Sequence, residues 1–176
     1  MGFKYDFYYK QYSNLYCKLY AIIIQSEYVR HFIQIKDGKV ITFEEAPFLE
    51  ISPTHRETTT WNIGGEKGSS VSRKTESIET PISKFNKKEL CDYIIQNGEF
   101  ASQNLLKLAV SYRFAHEHYS GNDSGGSVDV KEKADHEEFR MIKEIVNTIV
   151  TDYNQLRKEL KLSYDQVEIS SGVPTI

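Results

Sequence analysis

The sequence predicts an α+β fold in which a C-terminal helical bundle is joined to an N-terminal helix and a β-hairpin. Three patterns carry that prediction. Apolar residues fall at alternating spacings of three and four from residue 139 to residue 160. Tyrosines recur every four residues near the start of the chain. Two short runs rich in Val, Ile and Phe flank the dipeptide Asp37-Gly38, whose chemistry suits a two-residue hairpin turn.

In chain order, Tyr8, Tyr12, Tyr16 and Tyr20, with Leu15 and Leu19 beside them, predict a helix over residues 5–24. A tyrosine stripe serves equally as the edge of a core or as a contact face, since each ring buries a large area and keeps a hydroxyl for a partner. The following segment, YVRHFIQIKDGKVITFEEAPFLEI, is read as two antiparallel strands, so that residues 1–51 make a helix plus a hairpin. A hairpin alone is marginal in water and has to pack on helices or gain a strand, for which residues 58–63 are the candidate. Residues 52–83 are dominated by Ser, Thr, Gly, Glu and Lys and are expected to be a mobile polar connection, with Trp61, Ile63, Val71 and Ile78 as its apolar anchors.

Residues 84–162 are expected to form the bundle. Asn86 followed by Glu89 has the spacing of a capping box, and Leu90, Ile94 and Ile95 then mark a helical face that Gly98 ends. A second helix is predicted over residues 101–118 on Leu105, Leu108, Ala109, Tyr112 and either Ala115 or His116, and a long one from Ala134 on Phe139, Ile142, Val146, Ile149, Tyr153, Leu156 and Leu160. Residues 163–176 are read as a tail. The whole is one domain of 176 residues, long enough to bury a core without disulfides.

Composition narrows the function classes. The longest strongly apolar stretch, residues 19–24, is far below the roughly 20 residues that span a bilayer, so no membrane association is expected. Cys17 and Cys91 lack any metal-ligand spacing and are read as buried thiols, and the start of the chain lacks an apolar signal core, which together predict a cytoplasmic protein. A net charge of -3 gives no overall attraction to nucleic acid, so contact with RNA would need a local patch. No cofactor motif occurs, and no cofactor is expected; the Gly64–Ser70 region lacks the Gly-Lys-Ser/Thr ending of a phosphate-binding loop.

The densest chemistry lies in Arg113-Phe114-Ala115-His116-Glu117-His118, at the end of the second bundle helix. Arg113 and His118 are five residues apart, about 500° of helical rotation, so their side chains project about 140° from one another on an ideal helix. From the residues alone, three readings stand. Arg113 pairs with a neighbouring carboxylate while His116 and His118 close a helix end that favours cations. Alternatively, a permanently charged fork and an acid/base group act together on a phosphate. Or His116, His118, Asp123, Asp135 and His136 gather a metal ion.

The arrangement of Arg113 and His118 with four residues between them, at the end of one helix and before a loop and a further long helix, resembles the HEPN superfamily. The resemblance covers residues 84–162 and leaves the N-terminal half unaccounted for; Phe114 stands where that family usually carries a polar residue. It implies a HEPN-like bundle and a metal-independent endoribonuclease of a defence or toxin system. In that reading His118 is the general acid or base, Arg113 holds the phosphate, and His116 and Glu117 orient or tune them. It further implies a homodimer, since such proteins pair two motifs in one cleft. The competing expectation is a non-catalytic module, an adaptor, antitoxin or inhibitor, that binds a protein partner through the tyrosine-rich helix and the hairpin.

Overall fold

No proline or glycine interrupts the chain between Gly2 and Gly38. Residues 3–37 accordingly wind into one continuous rod made of α1 (Phe3–Gln11), a π-helical turn (Tyr12–Tyr16) and α2 (Cys17–Asp37). The computed structural model describes residues 2–51, 54–66, 68–78, 80–119 and 128–176. The extra residue accommodated by the π turn shifts the side-chain register. Upstream of it no side chain is buried; within it Leu15 and Tyr16, and downstream Leu19, Ile22, Ile23, Ser26 and Glu27, face inward. The four tyrosines lie along this rod, with Tyr16 buried and Tyr8, Tyr12 and Tyr20 packed at the edge of the core.

The hairpin expected over residues 28–51 is absent from that place. Asp37 ends α2, and Gly38, at φ 66°, is its left-handed cap, its N–H donating to Gln34 O at 2.9 Å. Turn and cap demand the same conformational freedom from glycine, so the dipeptide fits both. What decides is the unbroken helical stretch before it. The chain then doubles back along α2, held by Arg30, whose guanidinium donates to the carbonyls of Ile41, Thr42 and Ala46 and to the carboxylate of Glu27. Leu49 N–H donates to buried Ser26 Oγ at 2.7 Å, which seats Phe48 in the core.

The β-hairpin of this fold is built instead from the polar segment. Strands β1 (Thr54–Gly65) and β2 (Gly68–Ile78) pair antiparallel from Thr54 opposite Ile78 to Gly65 opposite Gly68, with an irregularity between Asn62 and Gly65. Gly64 and Gly68 take positive φ at this end. The expectation of a loop is thus corrected, while the strand read at residues 58–63 lies within β1. Every side chain described between residues 57 and 76 is exposed, so the ribbon rests on no core face.

Helices α3 (Lys87–Gln96), α4 (Gln103–His118) and α5 (Val128–Glu159) form the helical body with α2. Asn86 Oδ1 accepts from Glu89 N–H at 2.8 Å, the cap that the sequence indicates, and Ser102 Oγ accepts from Leu105 N–H at 3.3 Å, so both starts are capped by side chains. The seam of α5 is buried at Ile142, Val146, Ile149 and Leu156, and Leu160 is buried just past its end, whereas Phe139 remains exposed. The expected tail folds back as α6 (Gln166–Ser171), capped by Asp165 and anchored through buried Glu168, which receives the hydroxyl of Tyr20 at 2.6 Å and the amide of Asn154 at 3.3 Å. No helix among the described residues is long and apolar enough to cross a membrane.

One polar knot joins the rod to the bundle. Tyr16 Oη donates to Asp152 Oδ2 at 2.7 Å, Ser102 Oγ donates to the same oxygen at 2.8 Å, and Ser102 N–H donates to Tyr16 Oη at 2.9 Å. Burial pushes the Asp152 carboxyl above its ordinary value, while the two hydroxyl donors pull it back. A carboxyl raised on folding binds its proton more tightly in the folded state, so its ionisation opposes folding as pH rises through that raised value. The stability of the wild type relative to Asp152→Asn should therefore grow as pH falls from neutral through the folded value, and level off below the unfolded one. Urea melts across that range measure it; a difference independent of pH would mean that Asp152 is not desolvated.

Candidate functional site at the end of helix α4

Helix α4 turns about 100° per residue, and its last turns aim the side chains of the predicted motif at different neighbours. Arg113 points to α3, its Nε donating to Asp92 Oδ1 at 2.6 Å, with 19% of the arginine side chain exposed. The pair clamps α3 to α4 beside buried Cys91, whose thiol burial pushes up to about 12. His116 points toward α5. Its ring stacks on Tyr112 at 5.8 Å between centroids, and Nδ1 lies 3.3 Å from Glu138 Oε1. His118 lies exposed with its ring 4.6 Å from that of Phe114, and Glu117 is exposed as well.

Among the described residues, then, no hydrogen bond or ion pair joins any two of Arg113, His116, Glu117 and His118. Arg113 makes the carboxylate pairing that is one of the three readings of its sequence position. Of the residues considered for a metal, Asp123 lies outside the described residues, and no group of three or more His, Cys, Asp or Glu among those described is arranged to hold an ion. Cys17 is half-buried and Cys91 buried, both as free thiols.

The structure adds a feature that no motif announced. Residues 45–50, α4 and α5 enclose an open cavity of about 590 Å³, within the range typical of ligand sites. Its walls include Phe48, Leu49, Tyr112, Phe139 and Ile142, and its polar groups include Glu45, Glu50, Lys87, His116, Asp135 and Glu138. Lys87 meets Glu50, by its backbone N–H at 2.9 Å and its Nζ at 3.3 Å. Glu138 Oε1 is buried and accepts no hydrogen bond, because His116 Nδ1 comes within ion-pair range without the directionality of a bond. Burial and the neighbouring Glu138 carboxylate both raise the Tyr112 phenol above its ordinary value. The only sequence signal for this cavity is Pro47-Phe48 in a segment otherwise rich in charge; nothing in the spacing brings that segment against His116.

No family model, curated protein or solved structure matches the chain. Site chemistry therefore rests on the geometry of the residues themselves.

The unequal settings of Arg113 and His118 give an expected outcome. Arg113→Ala removes a half-buried ion pair between two helices and should cost about 1–2 kcal/mol, reduced by the partial exposure of Asp92. His118→Ala, on the surface, should change stability by less than about 0.5 kcal/mol. Chemical denaturation of the two variants compares them directly, and equal effects would show that the Arg113–Asp92 pair contributes nothing to the packing of α3 on α4.

Proposed function

We propose that the chain is a non-catalytic binding module that engages a protein partner through its β-hairpin. One observation carries this reading: a long two-stranded ribbon stands in solvent with Trp61 68% exposed, Ile63 84% and Val71 50%. Alternate residues of a strand face opposite sides. Trp61 lies directly opposite Val71, with Ile63 two residues along. The other side presents Thr58, Thr60, Asn62, Ser70, Ser72 and Lys74. One face is therefore apolar toward the turn and the other polar.

Strands of 12 and 11 residues exceed the usual five or six, and a two-stranded ribbon of this kind is marginal in water by itself. Both outer edges also carry backbone donors and acceptors that the ribbon does not pair. A protein that adds an extended segment to one edge and covers Trp61 satisfies both requirements, which is strand addition. Phe3, Tyr5, Phe7 and Tyr9 of α1 are exposed as well, whereas the stripe of Tyr8, Tyr12, Tyr16 and Tyr20 is taken up by the core and its edge, so the hairpin carries this reading alone.

The endoribonuclease reading is retained as the second, supported by the place of Arg113 and His118 in the last turns of α4 and by the HEPN-like order of that helix and the long helix α5. It requires a second copy, since within one chain the two side chains point to different neighbours.

A photo-reactive residue placed at position 71, with one at exposed Lys107 as control, separates the readings in cells that make the protein. The expected result is a discrete protein adduct from position 71 only, lost with Trp61→Ala, a change that should leave stability within about 1 kcal/mol because the side chain is 68% exposed. Reconstituting the complex should shift the fluorescence of Trp61 to the blue. RNA adducts in its place, together with cleavage of single-stranded RNA in EDTA that falls on the order of 10²–10⁴-fold in His118→Ala, would replace the binding reading with the nuclease one.

A further inference from the structure

We propose that the cavity between residues 45–50, α4 and α5 binds a small organic ammonium ion carrying a flat apolar body. This does not depend on the role of the hairpin, which takes no part in the cavity.

The charge of the lining sets the sign of the ligand. Four carboxylates, Glu45, Glu50, Asp135 and Glu138, face two basic groups, Lys87 and His116. Lys87 is engaged with Glu50, and the Glu45 carboxylate accepts the N–H of Thr42 at 2.9 Å, which orients it but leaves its charge. Asp135 has neither a hydrogen bond nor an ion pair among the described residues. The surplus is negative, and low-dielectric walls strengthen its attraction for a cation.

Glu138 fixes where the cation sits. Its side chain is 15% exposed, its Oε1 is buried without a donor, and the nearest basic group, His116 Nδ1, is not aimed along a hydrogen bond. A buried carboxylate oxygen without a donor is unfavourable, and an ammonium N–H entering the cavity would satisfy it with a charge-assisted bond. Asp135 at the rim supplies a second negative charge. The remaining walls describe the rest of the ligand. Phe48, Phe139 and Ile142 offer apolar surface, and the stacked rings of Tyr112 and His116 offer a flat one. An aromatic amine presents both halves, its ring against that wall and its ammonium toward Glu138. Inorganic anions and free carboxylic acids meet a surface of their own sign.

The test titrates the full chain by calorimetry with tryptamine and benzylamine, against the neutral alcohol tryptophol and the anion indole-3-propionate. Amide NMR shifts locate the binding. Both amines should bind saturably, perturb the surroundings of Phe48 and Tyr112, and bind on the order of tenfold tighter than tryptophol, with no binding of the propionate. Glu138→Gln keeps the shape and removes the charge, so it should weaken the amines by a similar factor while leaving tryptophol unchanged. Asp135→Asn, at an exposed position that no folding contact uses, should weaken the amines by a smaller factor, and it decides the matter should Glu138→Gln fail to fold. The proposal is overturned if neither amine binds at millimolar concentration. It is equally overturned if tryptophol matches tryptamine, or if the folded variants bind amines like the wild type.

Discussion

A single carboxylate, Asp152, organises the helical body. It lies on α5, faces inward, and receives the hydroxyls of Tyr16 from the rod and Ser102 from the start of α4 on the same oxygen. Ser102 meanwhile caps α4 and donates its N–H to Tyr16, so each member of the knot satisfies another. A desolvated charge of this kind adds little net stability, because bringing it out of water opposes what its bonds return. Its effect is to fix register. An apolar stripe slides past another at modest cost, whereas sliding α5 by one turn would strand a buried carboxylate without donors. Fixing the start of α4 also fixes its end, and with it the directions in which Arg113 and His116 point.

Two further polar clasps act on the chain ends of this body. Tyr20, Glu168 and Asn154 bind α6 to α2 and α5, with Tyr20 also stacked on Tyr153 at 3.9 Å. Asn154 Oδ1 accepts the N–H of Asp165, so one side chain serves both the helix it belongs to and the turn that follows. On the other side, Arg30 gathers three carbonyls of residues 41–46, and Lys143 pairs with Glu44. These contacts hold the segment that carries Phe48, Glu45 and Glu50 against α5. The cavity lies where that segment, held by these contacts and by Leu49 on Ser26, meets α4 and α5.

The hairpin obeys a different balance. Its pairing is extensive, yet its described side chains are solvated on both faces, so hydrogen bonding and strand propensity hold it rather than burial. Body and ribbon thus divide the chain into a part whose side chains answer to a core and a part whose apolar residues answer to nothing within the described residues.

By itself the sequence determined the α+β class, the bundle and most of its helices, because caps and apolar periodicity are local signals that burial on one face preserves. The Asn86 cap, the buried stretch of α5 from Ile142 to Leu156, and the helix ending at His118 were all legible in that way. The place of the hairpin was not. Gly38 serves turn and cap alike, and a ribbon exposed on both faces has no alternation for its threonines and serines to display. The tail was equally opaque, since α6 is short and depends on Glu168 finding Tyr20 and Asn154. At the candidate site the sequence supplied Arg113, His116, Glu117 and His118 as neighbours along a helix. Only the tertiary structure decided that Arg113 meets Asp92, that His116 meets Glu138, and that residues 45–50 close a cavity beside them, because each of those partners arrives from a distant segment whose position packing alone sets.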